Sequence, residues 1–318
     1  MPEKIQKGLS DKEKEELLSI LEEQGKTKWK ERWKNHISFP KNLNPLLKDK
    51  DEQEKVLRYL LFRVLINQQA KSEKVRELSV KVAEKFGDKL LFEPYEISEL
   101  KLFEVFKSVA RDKGSLLYRV GALGGIKPIS LFIYRFKAYE GFIKWLKTTK
   151  QSFLELIIIQ LQNKKALDLF KFLNSHPILE AGWVGNDPKA CRMLVNWIIF
   201  LLNEIWGTEI SKTEDTLMIV DGHVAKVFCR TGLLDKVLYE KKRPFIIQAS
   251  KMRNEIEKTV SQFGKIPFYV DNGAFYIFED GFCTDLKPKC ESCPINKICK
   301  KYTKWTAYQK IKKKEKKK

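Results

Sequence analysis

Three observations on this 318-residue chain predict an all-α fold. Apolar residues recur at helical spacing along most of its length, strand-like alternation is scarce, and helix-starting residues stand just ahead of the periodic segments. Ser10 followed by Glu13 forms a capping box ahead of Leu17, Leu18 and Leu21, so a helix begins there. Val56, Leu57, Leu60, Leu61, Val64 and Leu65 give residues 51–69 a wide apolar face. Ser72 opens another helix that ends near Gly87, and further helices are expected at about 100–111, 151–162 and 164–174. Tyr269-Val270 and the stretch from Phe275 to Phe278 carry the only strand signals, both short. No internal repeat is visible.

The length suffices for a full core and suggests two domains. A hydrophobic content of 43%, with seven Trp and twenty Phe, is that of a folded globular protein. The longest apolar stretch, Leu194 to Trp206, is interrupted by Asn196, Asn203 and Glu204, so no membrane span is expected. A formal charge of +20 favours a polyanionic partner, most simply the phosphates of nucleic acid. Lys300 to Lys318 holds ten Lys and one Glu, which leaves +11 on the remainder. That tail is either a phosphate-attracting or a solubilising end, so the charge of the folded body is the more informative part.

Cys283, Cys290, Cys293 and Cys299 stand in a C-x6-C-x2-C-x5-C pattern. Four thiols this close together contribute little to a large fold unless a metal centre joins them. Structural zinc usually takes two short knuckles, and here only Cys290 and Cys293 form one. A disulfide framework needs an oxidising compartment, and nothing N-terminal looks like a secretion signal. An iron–sulfur cluster is the stronger reading. Cys191 and Cys229 fall in apolar helical patterns and read as core residues.

The cysteine spacing resembles the [4Fe-4S] cluster loop of the endonuclease III-like and adenine-glycosylase branches of the helix-hairpin-helix DNA glycosylase superfamily. Two upstream segments carry the same resemblance. Ala181-Gly182-Trp183-Val184-Gly185-Asn186-Asp187-Pro188-Lys189-Ala190 is similar to the superfamily's hairpin, whose usual loop reads Leu-Pro-Gly-Val-Gly-x-Lys-x-Ala. Trp183 replaces the first glycine of its Gly-Val-Gly core, and two extra residues separate Gly185 from Lys189. Glycines there let the backbone turn sharply beside a DNA phosphate, and the next helix offers its N–H groups. Asp187 fits the N-cap and Pro188 the first helical position. Val220-Asp221-Gly222-His223-Val224 resembles the superfamily's aspartate segment, with Asp221 as its essential acid and a helix starting just there.

The resemblance implies roles for single residues. Lys189 occupies the position of the Schiff-base lysine of bifunctional members, at a helix start whose positive potential disfavours the ammonium form. Asp221, held by backbone amides, would stabilise the positive charge that develops on the sugar as the base departs. Gln69 resembles the glutamine that fills the gap left by a flipped base, and His223 either faces the groove or packs at the helix start. Gly182, Val184 and Gly185 of the hairpin, with Lys287 and Lys289 of the cysteine loop, complete the expected DNA contacts.

A helix from Pro188 to Trp206 spans about 28 Å. The residues from Gly207 to Val220 reach about 46 Å when extended, enough to return towards Lys189. This long link is reminiscent of archaeal 8-oxoguanine glycosylases, so 8-oxoguanine is the favoured lesion and an oxidised pyrimidine the next.

The implied architecture is two helical domains with the active-site cleft between them. Residues 51–215 would form a six-helix barrel with the hairpin, and residues 1–50 with 216–318 the cluster domain with its basic tail. The implied protein is a cytoplasmic monomer, nucleoid-associated in a prokaryote, acting on damaged double-stranded DNA as a glycosylase and AP lyase. Two alternatives stay open: a monofunctional glycosylase of the adenine-glycosylase type, and a non-catalytic iron–sulfur DNA-binding protein.

Overall fold

The computed structural model describes residues 4–5, 8–67, 72–110, 128–162, 165–208, 210, 215–234, 236–237, 248–284 and 287–301. The described chain is all-α. Its sole strand pairing among the described residues is the antiparallel pair of β1 (Lys4–Ile5) with β2 (Lys236–Val237). No described helix is long and apolar enough to cross a membrane.

Two compact units emerge, Met1–Trp33 with Glu214–Lys318, and Lys34–Thr213. The sequence reading draws its divisions at 50/51 and 215/216, whereas the units divide at 33/34 and 213/214. Residues 34–50 sit with the middle of the chain for a local reason. Ser38 O accepts from the Tyr59 hydroxyl at 2.6 Å, and Pro45 O accepts from Trp206 Nε1 at 3.0 Å.

The first unit is built on α1 (Asp11–Ile37, inside which the unit boundary falls), α11 (Gly222–Thr231), α12 (Ala249–Gln262) and α13 (Pro267–Glu279). The expected capping box opens α1: Ser10 Oγ accepts from Glu13 N at 3.4 Å, and Glu13 Oε2 accepts from Ser10 N at 2.7 Å. Leu17, Leu18 and Leu21 then turn into a core with Val224, Phe228, Ile256, Val270 and Ile277. Each fully buried aliphatic side chain contributes about 1.5–3 kcal/mol of transfer free energy.

The strand signals at Tyr269-Val270 and Phe275 to Phe278 are overturned, since both segments lie in α13. Pro267 starts that helix, and a glycine pair explains its dense apolar surface. A Cβ on Gly25 would lie 1.8 Å from Tyr269 O, and one on Gly273 would lie 1.9 Å from Leu21 O. Helices α1 and α13 therefore touch backbone to backbone, and a β-branched face would have kept them apart.

The second unit contains α2 (Lys50–Ile66), α3 (Ser72–Phe86), α4 (Asp88–Phe92), α5 (Glu99–Ala110), α6 (Pro128–Thr149), α7 (Phe153–Leu161), α8 (Ala166–Ser175), α9 (Pro177–Glu180) and α10 (Lys189–Phe200). Helix α10 continues through a π-helical turn, Leu201–Ile205. Helix α2 is central and packs against α3, α6, α7 and α10. Phe62 from α2 meets Phe136 and Tyr139 of α6 at 6.2 and 5.4 Å, and the Tyr139 hydroxyl donates to Leu90 O at 3.1 Å. Polar anchors accompany the apolar ones. Buried Glu54 accepts from Phe153 N at 2.9 Å and Leu154 N at 2.7 Å, which ties the start of α7 to α2.

Candidate functional site

Asp221 is the N-cap of α11. Its extended backbone leaves Oδ1 to accept from His223 N at 2.8 Å and Val224 N at 2.9 Å. The carboxylate is thereby oriented by two amides that the helix itself cannot satisfy. His223 is a packing residue here: its ring lies 3.8 Å from that of Phe278 on α13, nearly parallel at 26°. Lys226 places its ammonium over the same Phe278 ring at 5.5 Å. A Cβ on Gly222 would meet nothing within 4 Å, so this first turn is open on one side.

The other end of α11 holds the cysteine loop. Buried Arg230 donates from Nη1 to Cys283 Sγ at 3.3 Å and Thr284 O at 3.1 Å, and also to Cys283 O. The Cys299 thiol donates to Arg230 O at 3.6 Å, and Lys301 N donates to Cys299 Sγ at 3.3 Å. Ile295 and Ile298 pin the loop to the core, with Cys283, Cys293 and Cys299 packed against the same cluster. Turn bonds from Cys293 N to Cys290 O and from Cys299 N to Ile295 O, at 3.2 and 2.9 Å, shape it locally.

Burial raises the Cys293 thiol above its ordinary range, with Cys283 and Cys290 adding to the effect. Cys299 is pushed up to about 11, first by burial and further by Cys283, Cys293 and Cys290. The four sulfurs are thus near enough to act on one another. Among the described residues, no three His, Cys, Asp or Glu side chains form a group that could hold a metal ion. Lys287, Lys289 and Lys297 stand exposed along this loop, and Lys300 pairs with Glu13 at 2.7 Å. Cys191 and Cys229 are fully buried, and burial raises both thiols.

In the second unit the hairpin runs from α9 into α10. Buried Trp183 donates from Nε1 to Leu173 O at 3.0 Å, which anchors the loop to α8. Gly182 is buried, and its N–H is spent on Leu179 O at 2.8 Å. A Cβ there would lie 2.9 Å from both Ala138 Cβ and Leu65 Cδ2, so helix packing explains this glycine. Gly185 differs: it has φ +81°, which glycine adopts without strain, and nothing within 4 Å of an added Cβ. Val184 beside it is 38% exposed. These two remain the hairpin's outward-facing part.

Asp187 is not the N-cap of α10. Pro188 holds that position, and Lys189 is the first helical residue. The Asp187 carboxylate accepts two bonds from Arg192, at 2.8 Å from Nε and 3.2 Å from Nη2. A guanidinium fork matches a carboxylate better than one backbone amide does, and that competition displaces the expected cap.

Lys189 is exposed at the start of α10. It is one of three cations, after Arg63 and Arg76, whose charge pulls His36 down. With burial as the leading cause, the His36 imidazole falls to about 3. Sequence reasoning missed His36 and Arg63, though two arginines, Arg58 and Arg63, within the apolar run of residues 56–66 were a readable signal.

Lys189 belongs to one compact unit, while Asp221, His223 and the four cysteines belong to the other. Gln69 lies outside the described residues. An open recess of about 430 Å³ in the second unit is lined by Gln160, Asp168, Lys171, Phe172 and Ser175, none of them an expected site residue. No family model matches the chain, and no curated protein or solved structure matches it.

Proposed function

We propose that this protein is a base-excision DNA glycosylase with AP lyase activity, acting on damaged duplex DNA and favouring 8-oxoguanine over oxidised pyrimidines. The observation that carries the reading is the construction of α11. One ten-residue helix bears Asp221 at its N-terminus and Arg230, the anchor of the cysteine loop, near its C-terminus. The acid suited to excision and the loop suited to a cluster are thereby parts of one structural element. The second unit, with its central α2, is read as the superfamily's helical barrel.

The donor chemistry of the loop suits an iron–sulfur cluster. Cys283, Cys290, Cys293 and Cys299 would hold it as thiolates. Arg230 Nη1 and Lys301 N already donate to two of these sulfurs, as outer-shell groups of metal sites do. Such a cluster supplies rigidity to the loop, which presents Lys287 and Lys289 to a phosphate backbone.

In the proposed reaction the damaged nucleotide leaves the stack. The neutral Lys189 Nζ attacks C1′ as the C1′–N bond breaks, and the base departs with the bonding pair and gains a proton. Asp221 stabilises the positive charge on the sugar meanwhile. The attached nitrogen loses a proton as the C1′–O4′ bond breaks and O4′ takes a proton, which gives a ring-opened protonated Schiff base. Loss of a C2′ proton then expels the 3′ phosphate by β-elimination.

The test is borohydride trapping on duplexes carrying 8-oxoguanine, thymine glycol, uracil or an abasic site, with Lys189→Ala in parallel. A covalent adduct on one lesion, absent in the variant, is the expected outcome. Base release without trapping means a monofunctional enzyme. Binding of every duplex with neither outcome would leave a DNA-binding protein and end the enzymatic reading.

A further inference from the structure

Arg63 lies in the middle of α2 and is 1% exposed. Its Nε and Nη1 have no hydrogen-bond partner among the described residues. One helical turn on, the buried Oδ1 of Asn67 also has none. Residues four apart share a helix face, so these orphaned groups are neighbours. The groups that act electrostatically on Arg63 are Tyr59 and the cation Arg76, with no carboxylate between them. Burial lowers the guanidinium to about 10, which leaves it charged at neutral pH.

A buried charge without partner or counter-charge is among the costliest arrangements a fold can hold. Structures that keep one generally place an ion, a water or a ligand against it. The surroundings narrow the choice. The charges of Arg63, Arg76 and Lys189 each lower His36 of the same unit, after burial. Trp197 of α10 closes on that imidazole edge-on at 6.0 Å. Arg76 is half-buried and donates to Asn35 O at 3.4 Å. Tyr59 directs its hydroxyl at Ser38 O and Ser79 Oγ, at 2.6 and 3.3 Å, and not at Arg63.

We propose that Arg63, with Asn67 beside it and Arg76 close by, forms an oxyanion site that takes a phosphate group. A guanidinium offers several donors and phosphate several acceptors, and a charge near −2 suits the pair of guanidiniums better than a carboxylate does. Amide oxygen and nitrogen exchange by a flip of Asn67, which then adds a donor to the same face. The phosphate is either free in solution or carried on a DNA strand. The second case rests on the glycosylase reading, the first does not.

The experiment compares wild type, Arg63→Met and Arg63→Lys in thermal unfolding with inorganic phosphate or acetate at equal ionic strength, and in duplex binding across a salt series. Saturating phosphate raises the wild-type midpoint by about 3–6 °C, and acetate does not. Arg63→Met loses that response but unfolds no earlier than wild type in phosphate-free buffer, because it removes an uncompensated buried charge. Arg63→Lys keeps part of the response and serves if the methionine variant fails to fold. If the phosphate belongs to a DNA strand, free phosphate acts weakly, and Arg63→Met lowers the slope of log affinity against log salt by about one. Equal phosphate responses in wild type and both variants, with unchanged salt slopes, overturn the proposal. A protein that responds to phosphate through Arg63 yet excises no base keeps this site and loses the glycosylase function.

Discussion

The helix starts of α10 and α11 carry the two residues proposed for catalysis, and they are built in opposite ways. Helix α11 opens on Asp221, whose single oxygen takes two amides within 2.9 Å. Helix α10 opens on Pro188 with no side-chain cap, because the neighbouring acid, Asp187, is drawn off to Arg192. The first arrangement fixes a carboxylate through two backbone amides. The second leaves the positive end of a helix dipole without a fixed anion, next to exposed Lys189. The difference matches the roles proposed for them, a carboxylate beside a developing cation and a helix end beside a phosphate.

Replacing Asp221 breaks the comparison hardest. Asparagine caps helices as well as aspartate does, so Asp221→Asn keeps stability within about 0.5 kcal/mol. It removes the negative charge, and base excision falls by about 10²–10³-fold if that charge supports the departing base. Single-turnover excision beside thermal unfolding checks both halves. A variant that loses stability and activity together would show Asp221 to be an ordinary cap. Asp187→Ala comes next. It removes the Asp187 carboxylate from Arg192, which is 8% exposed, but Asp187 itself is 42% exposed and its pairing is partly screened by water. The expected loss is about 1–2 kcal/mol, below the 3–5 of a fully buried pair. Denaturant unfolding measures it, and no change would mean that the pair does not hold α10 in place.

The pattern of what was legible follows the range of the interactions. The capping box at Ser10, the apolar face of α2 and the helices α3, α5, α7 and α8 depend on residues within a turn or two, and all were readable. The aspartate cap at α11 was readable for the same reason. Asp187 was misread because its partner, Arg192, lies five residues on and outcompetes the local amide. The strand signals in α13 failed because Gly25 and Gly273 meet across 248 positions, and no local period shows such a contact. Arg230 was invisible as an anchor because the sulfur and carbonyls it serves lie more than fifty residues away. Gly182 looked like a ligand-facing glycine until α2 and α6 were seen against it.

A third helix start, that of α9, offers the smallest test and a sharper one. His176 caps it with a ring nitrogen: Nδ1 accepts from Ile178 N at 3.3 Å. The imidazole sits among Phe142, Trp145 and Phe172 at 5.0, 4.6 and 5.8 Å, and burial lowers its pKa below 6.5. The folded state therefore binds this proton less readily than the unfolded chain. Unfolded protein takes it up first as pH falls below about 6.5, so stability is complete above that value and declines below it. Protonation at Nδ1 also removes the lone pair that the cap uses. His36, lowered to about 3, acts in the same direction over a wider window. His176→Asn keeps a capping oxygen and cannot titrate, so its stability near pH 7 stays close to wild type while its decline between pH 6 and 4 becomes shallower. His36→Gln in parallel isolates the other contribution. An unaltered decline in His176→Asn would assign the acid sensitivity to His36 and the carboxylates, and would mean that the α9 cap is not a proton-sensitive joint of the hairpin.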